Sequence, residues 1–192
     1  MTKTNKLVGF HRPHPTNFDM PYPLDGIVQE RLAKLLGVFL NANLSFHEHV
    51  NFVLDVCSQQ IYLSKLLRSQ CLPPKQLHAV FTAMILSRIT YDLSVLVGHL
   101  TNHQRQRVNG FFKWARKFGS TEELYCIEEL LEKADARLFG RMQNPAHCLR
   151  SVLPNNNKSH RLLKKGHTFT LPHCTYNMYK NSLLLCCLFK FV

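Results

Sequence analysis

Acidic residues are scarce in this chain of 192 residues. It contains 12 Asp and Glu against 24 Lys and Arg, so its formal net charge is +12. Asp135 is the last acidic residue, and nine Lys and Arg residues follow it. A basic excess of this size indicates a nucleic acid or another anionic surface as the partner, and it carries no information about the fold.

Long hydrophobic runs are also missing. Apolar residues make up 45% of the chain, too many for a disordered basic tail. The longest apolar runs nevertheless fall far short of the ~20 residues that span a bilayer. Residues 1–6 are mostly polar, and no apolar stretch with a cleavage site follows them, so we predict no secretory signal. We therefore expect an intracellular protein, cytoplasmic or nuclear, with no membrane partner.

The usual signatures of catalytic and metal sites are absent. The seven cysteines are irregularly spaced and include no C-x-x-C pair, which favours reduced, apolar thiols over disulfides. His147, Cys148, His173 and Cys174 could supply four zinc ligands, but adjacent residues rarely converge on one metal ion. No glycine-rich phosphate loop, nucleophile motif or carboxylate pair is present. We predict no catalytic residue and no metal site.

The first 48 residues are typical of two short strands joined by a loop. Apolar runs occupy residues 6–10 and 35–40, with a proline-containing loop between them. Asp25 and Gly26 favour a tight turn, and residues 41–43 favour another. Because two strands alone are marginally stable in water, the unpaired edge of residues 35–40 predicts aggregation.

Helical periodicity dominates from residue 49 onward. Three amphipathic helices are predicted over residues 49–70, over residues 75–96, and after an N-cap at Thr101 or Asn102. Their predicted apolar faces consist of Val50, Val53, Leu54, Cys57, Ile61, Leu77, Val80, Phe81, Met84, Ile85, Ile89, Val108, Phe111, Phe112 and Ala115. Gly119 ends the third helix. These helices can close a small core by packing against one another.

The sequence STEE at residues 120–123 matches a capping box and predicts the start of a fourth helix there. Leu124, Ile127, Leu131, Ala134 and Leu138 would form its apolar face. From residue 143 onward, prolines and asparagines predict an irregular basic tail with short helical pieces, and its apolar end at residues 183–192 predicts aggregation. The fold class expected is α+β and mostly α.

Several short motifs follow one another in a recognisable order. Lys3 and Thr4 precede the first strand, and the sequences KLLGV, LSF and HV stand at residues 34–38, 44–46 and 49–50. The sequences LLR, LP and SRITY follow at residues 66–68, 72–73 and 87–91, and NP, LP and KNS at residues 144–145, 171–172 and 180–182. In this order they resemble the downstream part of reverse transcriptases from LINE-type (non-LTR) retrotransposons of the jockey-like kind.

The resemblance implies an organisation in three segments. Residues 1–48 would form a hairpin like the palm edge and primer grip, residues 49–118 a thumb-like helical bundle, and residues 119–192 a fourth helix with a basic tail that follows the polymerase. The implied partner is an RNA–DNA or DNA duplex, bound without sequence specificity, together with the remaining polymerase domains. We therefore expect a fragment of an RNA-directed DNA polymerase that retains elements for holding the template and primer.

The catalytic aspartates of that family have no counterpart here. Two-metal nucleotidyl transfer by the family requires an adjacent aspartate pair to hold Mg²⁺. The five aspartates are separate from one another, at Asp19, Asp25, Asp55, Asp92 and Asp135. We expect no cofactor and no polymerase activity from this chain alone.

The resemblance and the basic residues give two groups of candidate nucleic-acid contacts. In the first, the resemblance implies that Lys34 contacts a phosphate and that Gly37 lets the backbone approach the primer. The alternative for Lys34 is a solvated lysine on an ordinary strand. Lys3 resembles the palm lysine near the incoming nucleotide, although an exposed lysine is the better interpretation without the aspartates.

The second group lies on the third helix, where Trp114 is the aromatic residue outside the apolar face. The basic residues of this group are Arg105, Arg107, Lys113, Arg116 and Lys117. Basic side chains interleaved with an aromatic ring are typical of surfaces that follow a phosphate backbone and stack on nucleobases. A solvated basic face is the alternative. For the whole chain, the alternative function is a basic helical protein-interaction module with no nucleic-acid role.

Overall fold

The computed structural model describes residues 6–7, 22, 25–91, 96, 98–155, 169–174 and 177–190. The chain divides into two compact units, 1–56 and 57–192, and the division falls inside a long helix. Lys3 and Asp92 lie outside the described residues, as do residues 8–10 of the first predicted strand. The predicted fold class is confirmed: the chain is mostly helical, with a small antiparallel hairpin.

The first unit contains two small two-stranded sheets. Strand β1 (Lys6–Leu7) pairs in parallel with β2 (Val28–Gln29). Strand β3 (Leu32–Leu35) pairs antiparallel with β4 (Val38–Asn41), and Leu35 lies opposite Val38. The tight turns predicted at residues 25–26 and 41–43 are present.

The prediction of one strand over residues 35–40 is wrong. Leu36 and Gly37 form a two-residue turn between β3 and β4, with φ angles of 48° and 92°. A hairpin turn of this kind requires positive φ at both central residues, and glycine adopts that conformation without strain. Leu36 occupies the other position and is 83% exposed. The apolar run is therefore broken in the middle by a chain reversal.

Helix α1 (His47–Ser69) matches the first predicted helix. Of its predicted apolar face, Val50, Leu54, Cys57 and Ile61 are buried. The helix is followed by Cys71, whose backbone is left-handed at φ 64° and whose N–H donates to the carbonyl of Arg68 at 3.0 Å. Left-handed residues of this kind commonly close helix C-termini.

The second predicted helix begins as expected, but the type of helix changes along its length. Helix α2 (Pro74–Val80) passes into a π-helical stretch (Phe81–Leu86) and then into α3 (Ser87–Thr90). Leu77, Phe81, Ile85 and Ile89 are buried at regular intervals of four residues, whereas Met84 is 43% exposed. The placement of Met84 on the apolar face is therefore wrong, because the wider π turn changes which positions share a face. Residues 92–95 of the predicted helix lie outside the described residues.

Helix α4 (Asn102–Lys117) agrees with the third predicted helix at both ends. Thr101 is its N-cap, and the side chain of Gln104 reaches back to the Thr101 N–H at 2.7 Å. Val108, Phe111, Phe112 and Ala115 are all buried, as predicted. Gly119, with φ 70°, follows the helix.

Helix α5 (Ile127–Met142) starts later than the predicted capping box. Thr121 Oγ1 instead accepts from the Glu123 N–H at 3.2 Å and shapes a turn. The N–H of Ile127 donates to Asn109 Oδ1 of α4 at 2.8 Å. A backbone N–H in the first turn of α5 thus finds its acceptor on a neighbouring helix. Leu124 was predicted for the apolar face of this helix and is instead 55% exposed.

The tail consists of short pieces, as predicted. They are a 3₁₀ turn (Arg150–Val152), α6 (Asn177–Lys180) and α7 (Leu183–Lys190). Leu185, Cys187 and Leu188 of α7 are buried in a cluster with residues of α5 and the tail: Phe139, Met142, Leu153 and Phe169. Much of the apolar end that predicted aggregation is therefore covered. None of the described helices is long and apolar enough to cross a membrane.

Candidate nucleic-acid interface

The basic residues of α4 differ in their exposure. Lys113, Arg116 and Lys117 are exposed, and Lys113 and Lys117 are one turn apart. Arg105 and Arg107 are only partly exposed. At 3.6 residues per turn, the five basic residues spread over the wide face of α4 opposite its buried residues, with Arg105 and Arg107 at the two edges of that face.

Arg105 is engaged within the protein. Its Nε donates to the carbonyl of Leu100 at 3.4 Å, just before α4. It also contributes to the electrostatics of Glu128 at the start of α5. Hydrogen bonds from the Cys126 thiol and then from the Asn109 amide lower the pKa of Glu128, and the charge of Arg105 adds a smaller lowering. Arg105 thus serves the packing of α4 against α5.

Trp114 is partly exposed and partly packed. Its ring lies edge-on to Phe118, with centroids 4.8 Å apart, and tilted against Phe111 at 6.0 Å. The side chain is 37% exposed. Edge-to-face contacts of this kind fix the orientation of an aromatic ring, so Trp114 presents part of a fixed indole surface to solvent.

Two basic residues of α1 join Trp114 and Phe118. Lys65 Nζ lies 4.4 Å from the centroid of the Phe118 ring, within cation–π distance. Arg68 Nη1 donates to the carbonyl of Phe118 at 2.7 Å. We call Lys65, Arg68, Trp114 and Phe118 the aromatic–basic patch. Both cations are exposed, and the exposed Lys117 immediately precedes Phe118.

Sequence reasoning missed Lys65, Arg68 and Phe118. Lys65 and Arg68 are three residues apart on α1 and therefore share one face of the helix, which was the available signal. The sequence could not indicate that this face meets the C-terminal end of α4. A cavity of about 330 Å³ adjoins the patch and is lined in part by Arg68, Leu77 and Thr121.

Gly119 allows the close approach of Arg68 to α4. Its backbone is left-handed at φ 70°, and a Cβ atom there would collide with the Arg68 guanidinium. Glycine is therefore needed both for the helix end and for the contact that holds Arg68 against Phe118.

The other predicted site residues, Lys34 and Gly37, lie in the first unit. Lys34 is exposed, and its Nζ is 5.1 Å from the ring centroid of Phe39 and 5.0 Å from that of Phe52. The two rings contact each other edge-on at 5.0 Å. The ammonium group of Lys34 is thus oriented by two rings. Gly37 is required by the hairpin turn, which accounts for it without a ligand.

The residues present do not fit the two-magnesium site of reverse transcriptases. The sequence contains no adjacent aspartate pair. In the part of the chain that the structure describes, no three His, Cys, Asp or Glu side chains are grouped so that they could hold a metal ion. His147 Nδ1 instead accepts from the Leu149 N–H at 3.2 Å. No magnesium-dependent step is therefore derived for this chain.

Comparison with protein-family models, curated proteins and solved structures finds no match for this chain.

Proposed function

We propose that this chain holds a template–primer duplex, as the thumb of a non-LTR retrotransposon reverse transcriptase does, and that it does not catalyse polymerisation itself. The observation that supports this best is the aromatic–basic patch. There, Lys65 and Arg68 from one helix lie against Trp114 and Phe118 from the end of another. The net charge of +12 and the order of the short motifs support the same proposal.

The proposed binding depends on phosphate contacts. Lys65, Lys113 and Lys117 present exposed ammonium groups that would neutralise phosphates and release counterions. Trp114 would stack on a base or sugar at the edge of the duplex, because aromatic faces accept any base. Contacts of this kind position a duplex without reading its sequence.

The experiment is a titration of the protein with a fluorescently labelled RNA–DNA hybrid at several salt concentrations. We expect the affinity to fall linearly with salt on logarithmic axes and to vary little with the sequence of the hybrid. Replacing both lysines of α4, Lys113→Glu with Lys117→Glu, should weaken binding and reduce the slope by about two, one for each phosphate contact. Trp114→Ala should weaken binding with little change in slope.

A matched control is Lys75→Glu. Lys75 is exposed in the first turn of α2, so reversing its charge alters the net charge without touching the patch. If Lys75→Glu lowers the affinity as much per unit of charge as the two α4 substitutions do, the position of Lys113 and Lys117 on α4 has no special role in binding. Absence of binding at low salt, or a flat salt response, would contradict the proposal and favour a protein-interaction module instead.

A further inference from the structure

A groove lies between α3 and α5, away from the residues of the aromatic–basic patch. It has a volume of about 570 Å³, and Thr90 lines it from the α3 side. The α5 side contributes an apolar row of Leu130, Ala134 and Leu138 and a basic row of Lys133, Arg137 and Arg141. We call this feature the α5 groove.

The two rows have the same period. In each, successive residues are four positions apart, which corresponds to about 6 Å along a helix axis. The apolar residues are partly exposed, and the basic residues are exposed. The groove therefore presents a repeating pair of features, one apolar and one cationic, along two turns of α5.

The charges of the basic row are not paired within the described part of the chain. Among the residues that the structure describes, no carboxylate forms an ion pair with Lys133, Arg137 or Arg141. On another side of the same helix, Glu132 does pair with Lys190, at 3.1 Å. The chain has no Asp or Glu side chain after Asp135.

We propose that the α5 groove docks an acidic amphipathic helix of a partner protein. Apolar side chains of that helix would cover Leu130 and Ala134, and its carboxylates, repeated every four residues, would pair with the basic row. A phosphate backbone could pair with the cations but would leave the apolar row uncovered. The proposal is independent of duplex binding by the aromatic–basic patch.

A second copy of this chain is a poor occupant. Glu128 of α5 already accepts from the Asn109 amide at 2.9 Å and Glu132 pairs with Lys190, which leaves Glu129 as the remaining exposed acid of this helix. A single carboxylate cannot match a row of three cations. An acidic helix from a different protein has no such prior partners.

The test uses the full chain and a labelled synthetic peptide of about 20 residues, long enough to be helical, with Leu and Glu each repeated every four residues. A scrambled peptide of identical composition lacks the two rows. We expect the patterned peptide to bind at least ~10-fold more tightly than the scrambled one. Arg137→Glu with Arg141→Glu should weaken peptide binding by about tenfold or more. Ala134→Gln, which fills the groove without changing charge, should also weaken it.

The control variant is again Lys75→Glu, which should leave peptide affinity unchanged, and far-UV circular dichroism should show the same helix content for every variant. Equal binding of the two peptides, or no effect of Arg137→Glu with Arg141→Glu, would overturn the proposal. It would also be overturned if those substitutions reduced binding of the RNA–DNA hybrid and not of the peptide, or if they abolished self-association of the chain. Peptide binding without any binding of the RNA–DNA hybrid by the unmodified chain would contradict the proposed function and support the groove proposal alone.

Discussion

Single cations held against aromatic rings recur in this protein. Lys34 lies over Phe52 at 5.0 Å, Lys65 over Phe118 at 4.4 Å, and the Arg150 guanidinium over Phe169 at 5.2 Å. A ring beneath the charge orders a flexible side chain and leaves the outer face of the charge available to an anion. The ring partners are distant in sequence, which is why composition revealed the charges and not their orientation.

Asp135 is an acidic residue in a buried position. It is 4% exposed, and in the described part of the chain its Oδ1 has no hydrogen-bond partner. Burial raises the pKa of its carboxyl group from 3.8 to about 6, against a smaller lowering by Lys190. The folded state therefore binds this proton more tightly than the unfolded chain does. The contribution of the Asp135 carboxyl group to the free energy of unfolding is largest below about pH 4 and is lost as the pH rises through 6.

Asp135→Asn should raise the free energy of unfolding at pH 7 by about 1–3 kcal/mol, because it removes a buried charge and keeps the shape. The substitution should also flatten the dependence of stability on pH between roughly 4 and 6. Urea denaturation at a series of pH values measures both effects. Asp55→Asn is the control, because Asp55 is exposed. Equal pH profiles for the wild-type protein and Asp135→Asn would contradict the prediction.

Helix ends show which parts of an element are decided locally. The start of α4 follows from residues within one turn, Thr101 and Gln104, and the sequence predicted it. The start of α5 depends on Asn109 of a neighbouring helix, and the local STEE motif predicted the wrong residue. A capping motif competes with tertiary partners for the same backbone N–H groups, so its presence alone does not locate a helix.

Gly119→Ala should destabilise the protein by about 1–2 kcal/mol and weaken binding of the hybrid. An alanine there would adopt an unfavourable positive φ and would displace Arg68 from the Phe118 carbonyl. The matched control is Gly110→Ala in the middle of α4, where a Cβ atom meets nothing within 4 Å. That change should stabilise the protein by about 0.5–1 kcal/mol. Denaturant unfolding distinguishes the two, and a stabilising Gly119→Ala would show that the left-handed conformation is not required.

The covering of the apolar C-terminal end depends on the whole second unit. Leu185, Cys187 and Leu188 are buried with Phe139 and Met142 of α5, while Phe189 remains 55% exposed. An apolar run of this length could equally have been an exposed segment prone to aggregation. Its burial follows from how the tail returns to α5, which no local pattern records.

Leu188→Ala should lower the free energy of unfolding by about 2–4 kcal/mol, because Leu188 is fully buried and its loss leaves a cavity. It should also increase aggregation on mild heating, measured by light scattering. Phe189→Ala, at the exposed neighbouring position, should change stability by less than ~1 kcal/mol. Equal losses for the two variants would mean that α7 is not packed as described.

Local sequence is enough to predict the fold class, the extent of α1, both ends of α4 and the basic charge, because each depends on periodicity, caps or composition within a few residues. The folded structure was needed to show the chain reversal within residues 35–40, the late start of α5 and the contact of Lys65 and Arg68 with Phe118 beside Trp114. The hydrophobic pattern does not reveal this chain reversal, because apolar residues stand on both sides of the turn. The other two depend on contacts between residues far apart in the chain, and such contacts are selected by packing as a whole.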